Sequence, residues 1–146
     1  SCLVGSEMCI RDSCNTVTGV DASDKSVDVE SMKQYAKVQK TILIASGAVD
    51  VITDGVEVFE CRRGHEMMAH ITGSGCMSSV MLGAFLGTEA TIEAAAACCS
   101  FIGLCGEAAA EKTKECQGGT MTFRNAFIDE VSLMTPEKIY DRYQEK

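Results

Sequence analysis

The residues best suited to chemistry lie in one stretch, ITGSGCMSSVMLG at positions 71–83. Gly73 and Gly75 have no Cβ, so the backbone can turn sharply there and approach a ligand closely. From Cys76 onward, apolar residues recur at spacings of three and four, which predicts an α-helix. The predicted apolar face consists of Met77, Val80, Met81, Ala84 and Phe85.

A glycine-rich turn that opens a helix directs backbone N–H groups and the positive end of the helix dipole at one point, an arrangement that suits a phosphate. Cys76 lies at that point, where the same groups favour a thiolate. We therefore predict an anion turn at residues 73–76 that holds a nucleophile or a base. It is neither a dinucleotide-binding fingerprint, because Ser78 occupies the third glycine position, nor a P-loop, because no Gly-Lys-Ser/Thr follows. A tight strand-to-helix turn with a buried cysteine is the structural alternative.

Length, charge and cysteine content limit the classes of function. A chain of 146 residues forms at most one domain, and a net charge of −8 argues against nucleic acid or an anionic membrane as a partner. No apolar run is predicted to cross a bilayer, because Ala94–Cys99 is bounded by Glu93 and soon by Glu107. The nine cysteines include no Cys-x-x-Cys pair, and no secretory signal is recognisable. We therefore expect mostly buried, reduced cysteines in a cytoplasmic protein.

The first thirteen residues differ from the rest of the chain. Leu3–Ser13, LVGSEMCIRDS, resembles the in-frame translation of a sequencing adapter. We therefore predict that residues 1–13 are an artefact without a defined structure, and we leave them out of the fold prediction. A short natural N-terminal segment is the alternative.

Periodicity and turn signals predict an α/β layer protein with an excess of helix. Asp54-Gly55 between two β-branched runs predicts a hairpin. The small residues of the second long helix, among them Gly103 and Gly106, indicate close packing against a larger body. Strands are predicted at 41–46, 49–53, 56–60 and 66–71, and helices at 26–39, from 76 onward, at 89–112 with Thr88 as N-cap, around 123–131, and at 136–146.

Two further pairs of residues are considered as metal ligands and rejected. His65 and His70 are five residues apart and would diverge by about 140° on a helix, so His65 is expected to be a turn residue. Cys98 and Cys105 are seven apart and share a helix face, where buried packing is expected.

Because it combines the predicted hairpin with the predicted anion turn, the chain resembles the C-terminal part of hydroxyethylthiazole kinases. These are enzymes of the ribokinase-like superfamily. The resemblance extends over about residues 17–131, and its most specific feature is the cysteine after Gly-Ser-Gly, where most ribokinase relatives have aspartate. Its motifs are Gly19-Val20-Asp21-Ala22-Ser23, Ile44-Ala45-Ser46-Gly47 with Asp50, Val51-Ile52-Thr53-Asp54-Gly55, Gly64-His65, Ile71-Thr72-Gly73-Ser74-Gly75-Cys76, a Gly106-Glu107-Ala108-Ala109 turn, and Gly118-Gly119-Thr120 with Phe123.

The resemblance implies phosphorylation of the primary alcohol of 4-methyl-5-(2-hydroxyethyl)thiazole, with ATP and Mg²⁺ as cofactors. By position, Ser46 would contact the nucleotide in place of the family's usual threonine, and Gly73 would contact the thiazole. Cys76 would be the catalytic residue beside the attacking hydroxyl, and the amides of Ser74, Gly75 and Cys76 would form the anion hole. No residue of this chain is expected to ligate the metal.

The resemblance also implies an incomplete ribokinase-like three-layer sandwich formed by residues 14–146, the C-terminal part of a kinase domain. We expect this polypeptide alone to be inactive and poorly folded, because a sheet without half of its strands has an open edge and a small core. Family members are expected to be homotrimers with active sites between subunits.

Two other functions remain open at this point. Another ribokinase-like kinase, acting on a pyrimidine or a sugar alcohol, would be favoured by aspartate at the position of Cys76. A non-catalytic, cysteine-rich binding domain would need a ligand cluster among the cysteines.

Overall fold

The computed structural model describes residues 2–4 and 28–144, which form a mixed α/β structure. The sheet has the order β1-β2-β3-β4. β1 pairs with β2 in parallel, whereas β2, β3 and β4 pair antiparallel to one another. The strands are β1 (Cys2–Val4), β2 (Ile42–Ala45), β3 (Asp50–Thr53) and β4 (Val58–Cys61).

Five α-helices and one short 3₁₀ helix complete the described part of the chain. The 3₁₀ helix spans Glu66–His70. The α-helices are α1 (Val29–Gln39), α2 (Ser74–Thr88), α3 (Ile92–Glu115), α4 (Thr120–Leu133) and α5 (Pro136–Gln144). The prediction of four helices after the anion turn is confirmed.

The N-terminal predictions fall partly outside the described residues. β1 is a strand within the segment that was expected to lack structure, so that expectation is wrong for residues 2–4. The remainder of the adapter-like segment and the motif at 19–23 lie outside the described ranges. The artefact origin of residues 1–13 and the domain boundary at residue 14 stay predictions.

The predicted hairpin is confirmed, but its loop is longer than the Asp-Gly pair alone. Thr53 pairs with Val58, which leaves residues 54–57 as the loop. Asp54 Oδ1 accepts hydrogen bonds from the N–H groups of Val56 and Glu57, both at 2.8 Å. Gly55 adopts φ +94°, and a Cβ there would lie 2.7 Å from the backbone nitrogen of Lys37 in α1. Because only glycine fits this conformation and this contact, the Asp-Gly signal marks a packed turn.

α1 covers one face of the sheet, as its apolar spacing predicts. Asp28 caps the helix by accepting from the N–H of Ser31 at 3.3 Å. Met32 and Ala36 are buried against residues of β2 and β3. Val38 is 75% exposed, because it lies two residues beyond Ala36 and so points away from the sheet.

α3 is the central helix of the larger core cluster, which also contains Ile52 of β3, Leu82 of α2 and Phe123 and Phe127 of α4. It is long and apolar enough to cross a membrane by length and composition, unlike the sequence expectation, but 61% of its apolar window is buried inside the molecule. Such burial is what a core helix of a folded domain shows. The predicted amphipathic helix at residues 123–131 is confirmed by the complete burial of both phenylalanines.

Two boundaries differ from the prediction for local reasons. The predicted strand at 66–71 is a 3₁₀ helix, because His65 Nδ1 accepts from the N–H of Met67 at 3.2 Å and begins a turn. Thr88 is not the N-cap of α3, because its hydroxyl donates backwards to the carbonyl of Phe85 at 2.6 Å. Thr91 caps α3 instead, accepting from the N–H of Ala94 at 3.2 Å.

The predicted apolar face of α2 is partly wrong. Met77, Met81 and Phe85 pack against the core as predicted, together with buried Leu82. Val80 is 75% exposed and Ala84 is also exposed. The buried side of α2 is therefore rotated toward Leu82, since each residue advances by about 100° around a helix.

Candidate active site

The anion turn forms the N-terminus of α2. Gly73 is the N-cap with φ +92° and provides no side-chain hydrogen bond to the helix. Met77 N–H donates to Gly73 O at 2.9 Å. The amides of Ser74, Gly75 and Cys76 precede this first helical bond, so they point out of the helix end. Nothing lies within 4 Å of the position that a Cβ would take at Gly73 or Gly75, so a ligand has room to approach.

In this first turn, serine hydroxyl groups donate hydrogen bonds to backbone carbonyl oxygens. They do not bond to the amides. Ser78 Oγ donates to Ser74 O at 3.0 Å, and Ser79 Oγ donates to Gly75 O at 2.9 Å. Cys76 is exposed. This exposure overturns the alternative of a tight turn with a buried cysteine. The turn thus combines an accessible thiol with N–H groups and a positive helix end, a chemistry suited to an oxyanion or a phosphate.

Ser46 directly follows β2 and is exposed. The next turn is held by Asp50, whose Oδ1 accepts from the N–H of Gly47 at 3.0 Å. Burial raises the pKa of Asp50, while the hydrogen bond from Gly47 opposes that rise. Asp50 therefore shapes the backbone beside Ser46.

The C-terminal part of α2, and not its anion turn, lines a cavity with the sheet. A cavity of about 490 Å³ is lined by Leu86 and Gly87 of α2 together with Ile42 and Asp54. The C-terminal end of α2 therefore lies beside the start of β2 and the hairpin loop.

A charged pair between Arg63 and α3 was not predicted from the sequence. Glu107 of α3 accepts from Gly64 N–H at 3.2 Å and from Arg63 at 3.4 Å. The motif at 106–109 is not a turn, as the resemblance suggested, but the interior of α3. Its isolated acidic residue within a stripe of small residues was the available signal, since a buried charge requires a partner.

The described residues do not provide a ready metal centre. Within residues 28–144 there is no group of three or more His, Cys, Asp or Glu side chains that could hold a metal ion. His65 instead caps the 3₁₀ helix.

The buried cysteines of α3 are packing residues. Cys98 and Cys105 are fully buried, and burial raises the pKa of Cys98 to about 11 and that of Cys105 to about 12. They are free thiols in the described part of the chain, as are Cys61, Cys76 and Cys116. Four of the six described cysteines are buried, which confirms the expectation of mostly buried cysteines for this part of the chain.

These features define a mixed α/β protein with an open, glycine-flanked helix N-terminus suited to phosphate. A sequence profile of the hydroxyethylthiazole kinase family matches residues 6–137. The chain belongs to the hydroxyethylthiazole kinase family.

Individual relatives agree with this assignment. The chain is 33% identical over 138 residues to hydroxyethylthiazole kinase 1 of Methanosphaera stadtmanae, covering 89% of this chain and 48% of the relative. It is 35% identical over 131 residues to the hydroxyethylthiazole kinase of Archaeoglobus fulgidus, covering 86% and 46%. The chain spans about half the length of the curated relatives it matches.

A solved structure supports the same relationship. The hydroxyethylthiazole kinase protein of Pyrococcus horikoshii OT3 superposes with a TM-score of 0.64 at 26% identity, over 75% of this chain and 42% of that one. The described fold thus corresponds to part of that structure.

Proposed function

We propose that this chain is part of a kinase that transfers a phosphoryl group from ATP to the primary alcohol of 4-methyl-5-(2-hydroxyethyl)thiazole. The observation that carries the proposal is the exposed Cys76 in the first turn of α2, among N–H groups that no side chain caps. Family membership favours this reaction over a kinase for other alcohols. The cysteine-rich binding domain is not favoured, because Cys98 and Cys105 are packed in the core.

Each site residue has a proposed role. The amides of Ser74, Gly75 and Cys76 bind the transferring phosphoryl group, and Gly73 contacts the thiazole. Ser46 contacts the nucleotide. Cys76 lies beside the substrate hydroxyl and accepts its proton. The open space beside Gly73 and Gly75 supports these roles, because a side chain there would occupy the volume that the phosphate needs.

The described residues fit the nucleotide better than the metal. The anion turn fits the phosphates of ATP. Mg²⁺ would neutralise charge on those phosphates. The described residues offer no cluster of side chains that could hold Mg²⁺. A ribokinase-like three-layer sandwich, a homotrimer and a cytoplasmic location complete the proposal.

Phosphoryl transfer depends mainly on positioning and charge stabilisation, so the amides are expected to contribute more than the base. Cys76→Ser should therefore lower kcat by about 10²-fold without abolishing turnover. Cys116→Ser is the matched control, because Cys116 is the other exposed thiol of the described residues and lies at the far end of α3. Complete loss of turnover in Cys76→Ser, or no loss, would contradict this division of roles.

The proposed function is tested by expressing the longest reading frame at the source locus that contains these residues. The product is incubated with ATP, Mg²⁺ and the thiazole alcohol, and the phosphate ester is measured by mass spectrometry. Phosphorylation of the thiazole in preference to pyrimidine and sugar alcohols supports the proposal. Preference for another alcohol would support the alternative kinase, and failure to bind ATP would end both proposals. The 146-residue chain is assayed in parallel and is expected to be inactive.

A further inference from the structure

We propose that Glu107 is a positioning residue, which fixes the connecting segment (residues 63–72) on α3 and thereby sets the geometry of the anion turn. The inference deepens the proposed function, on which it rests for the identity of the ligand. The structural part of the inference, the control of the anion turn by Glu107, does not depend on which ligand binds.

Glu107 holds the start of the connecting segment with both carboxylate oxygens. Oε1 accepts from Gly64 N–H at 3.2 Å, and Oε2 accepts from Arg63 at 3.4 Å. The side chains of Arg63 and Glu107 are only 15% and 13% exposed, so water competes weakly for this pair. Gly64 has φ +130°. A glycine backbone can adopt many conformations unless a contact fixes one of them. The two hydrogen bonds that Glu107 accepts from Arg63 and Gly64 fix one conformation of this backbone.

The same face of α3 also receives the backbone and a side chain of the segment. A Cβ at Gly103 would lie 2.5 Å from Arg63 Cβ and 2.7 Å from Arg63 C, so the segment rests directly on the helix at this glycine. A Cβ at Gly106 would collide with Met68 Sδ. Positions 103, 106 and 107 are spaced by three and four residues and therefore form one helix surface. Glu107 supplies the polar anchor of that surface.

Short, fixed steps connect this anchor to the anion turn. His65 caps the 3₁₀ helix by accepting from Met67 N–H at 3.2 Å. The helix ends at His70, and Ile71 is buried in the core only two residues before Gly73. A rotation at Gly64 would therefore have to move the 3₁₀ helix or extract Ile71, and either change would reach the amides of the anion turn.

The cysteines allow this inference to be tested on the full-length protein that contains these residues, without any assay of activity. Iodoacetamide alkylation is followed by mass spectrometry of peptides, which gives a rate for each thiol. Cys76 reports the anion turn, and exposed Cys116 is the internal reference. Buried Cys98 and Cys105 react only if the core opens, so they report global unfolding in the same sample.

Glu107→Ala and Glu107→Gln are compared with Glu111→Gln. Glu111 lies one turn further along α3, is exposed, and pairs with Arg142 at 2.9 Å, so this control removes the same charge away from the segment. Glu107→Gln keeps an oxygen for Gly64 N–H, and Arg63 retains its contact over the Tyr143 ring at 4.7 Å. We expect Glu107→Ala to change the ratio of Cys76 to Cys116 rates by about threefold or more, Glu107→Gln to change it less, and Glu111→Gln to leave it unchanged.

Unchanged ratios in both Glu107 variants, with Cys98 and Cys105 unreactive, would overturn the inference, because the carboxylate would then be structural only. If Cys98 and Cys105 become reactive in Glu107→Ala, that variant has unfolded. The ratio of Cys76 to Cys116 rates in Glu107→Gln then tests the inference. In an active full-length kinase, Glu107→Gln should lower kcat with little change in the KM of the thiazole. A changed ratio in a protein that binds no ATP would sustain the positioning role while the proposed function fails.

Discussion

α2 and α3 are consecutive helices rich in apolar and small residues, yet their surroundings are opposite. α3 buries thirteen residues, whereas α2 fully buries only Leu82. Thr91 caps the N-terminus of α3 with its side chain, whereas Gly73 leaves the N-terminus of α2 open. The comparison shows that apolar composition identifies a helix, while capping and burial decide whether its end is free for chemistry.

The cysteines follow the same division. Cys98 and Cys105 of α3 are inside the core, and Cys76 of α2 is at the surface. One residue type therefore fills space in one helix and is accessible at the surface of the next.

The largest expected effect is a loss of stability at alkaline pH caused by the α3 thiols. Burial raises the pKa of Cys98 to about 11 and that of Cys105 to about 12, from 9.0, with the Glu130 charge adding to the shift at Cys105. Above pH 9 the unfolded thiols lose protons that the folded thiols keep, so alkali favours unfolding. Each thiol should lower the free energy of unfolding by up to about 1.4 kcal/mol per pH unit between pH 9 and its folded pKa.

Urea unfolding at pH 8, 9, 10 and 11 measures this slope. The control is Cys98→Ala/Cys105→Ala, which keeps every tyrosine and lysine and therefore their contributions. Its stability should fall less steeply above pH 9 than that of the wild type. Parallel curves for the two proteins would show that the buried thiols of α3 do not differ from exposed ones.

The next effect concerns the glycines of the two helices. Gly103→Ala should lower the free energy of unfolding by about 2–3 kcal/mol, because its Cβ would meet the Arg63 backbone, which cannot move without displacing the connecting segment. Gly83→Ala in α2 should raise stability by about 0.5–1 kcal/mol, since nothing lies within 4 Å of its Cβ and alanine favours helix.

Gly106→Ala refines the glycine comparison within α3. Its Cβ would meet the side chain of Met68, which is flexible and can adjust. We expect stability within about 1 kcal/mol of the wild type. Urea midpoints of the three variants check the order, and equal losses for Gly103→Ala and Gly106→Ala would mean that contact with the Arg63 backbone costs no more than contact with the Met68 side chain.

Much of the fold is predictable from the sequence because its signals are local. The apolar run at residues 41–46 and the Asp-Gly turn at 54–55 each produced the predicted element, and the helix predicted from residue 136 is α5. Gly103 and Gly106 indicated close packing of α3, and both meet the connecting segment. These elements follow from steric limits on a few neighbouring residues.

The errors occur where a distant contact or a single hydrogen bond decides the outcome. The 3₁₀ helix at 66–70 depends on His65 as a cap and on the packing of Met68 against α3. The periodicity of apolar residues carries no information about either contact. The face of α2 is set by the core cluster and not by its own spacing. For the site, the sequence identified the anion turn, but the contact of Glu107 with Gly64 spans 43 positions and could not be inferred locally.

The smallest expected effect tests the two helix ends directly. Thr91→Ala removes the side chain that accepts from Ala94 N–H at 3.2 Å, so α3 should lose about 1 kcal/mol of stability. Thr91→Asp, which keeps an acceptor at the cap, should retain most of the wild-type stability and serves as the control. In α2 the corresponding position is Gly73 at φ +92°, where alanine would be strained although no cap is lost. Urea unfolding distinguishes the loss of a cap from backbone strain. Thr91→Asp keeps the cap of α3, whereas Gly73→Asp would not relieve the backbone strain in α2. If Thr91→Ala were as stable as the wild type, capping would not distinguish the closed end of α3 from the open end of α2.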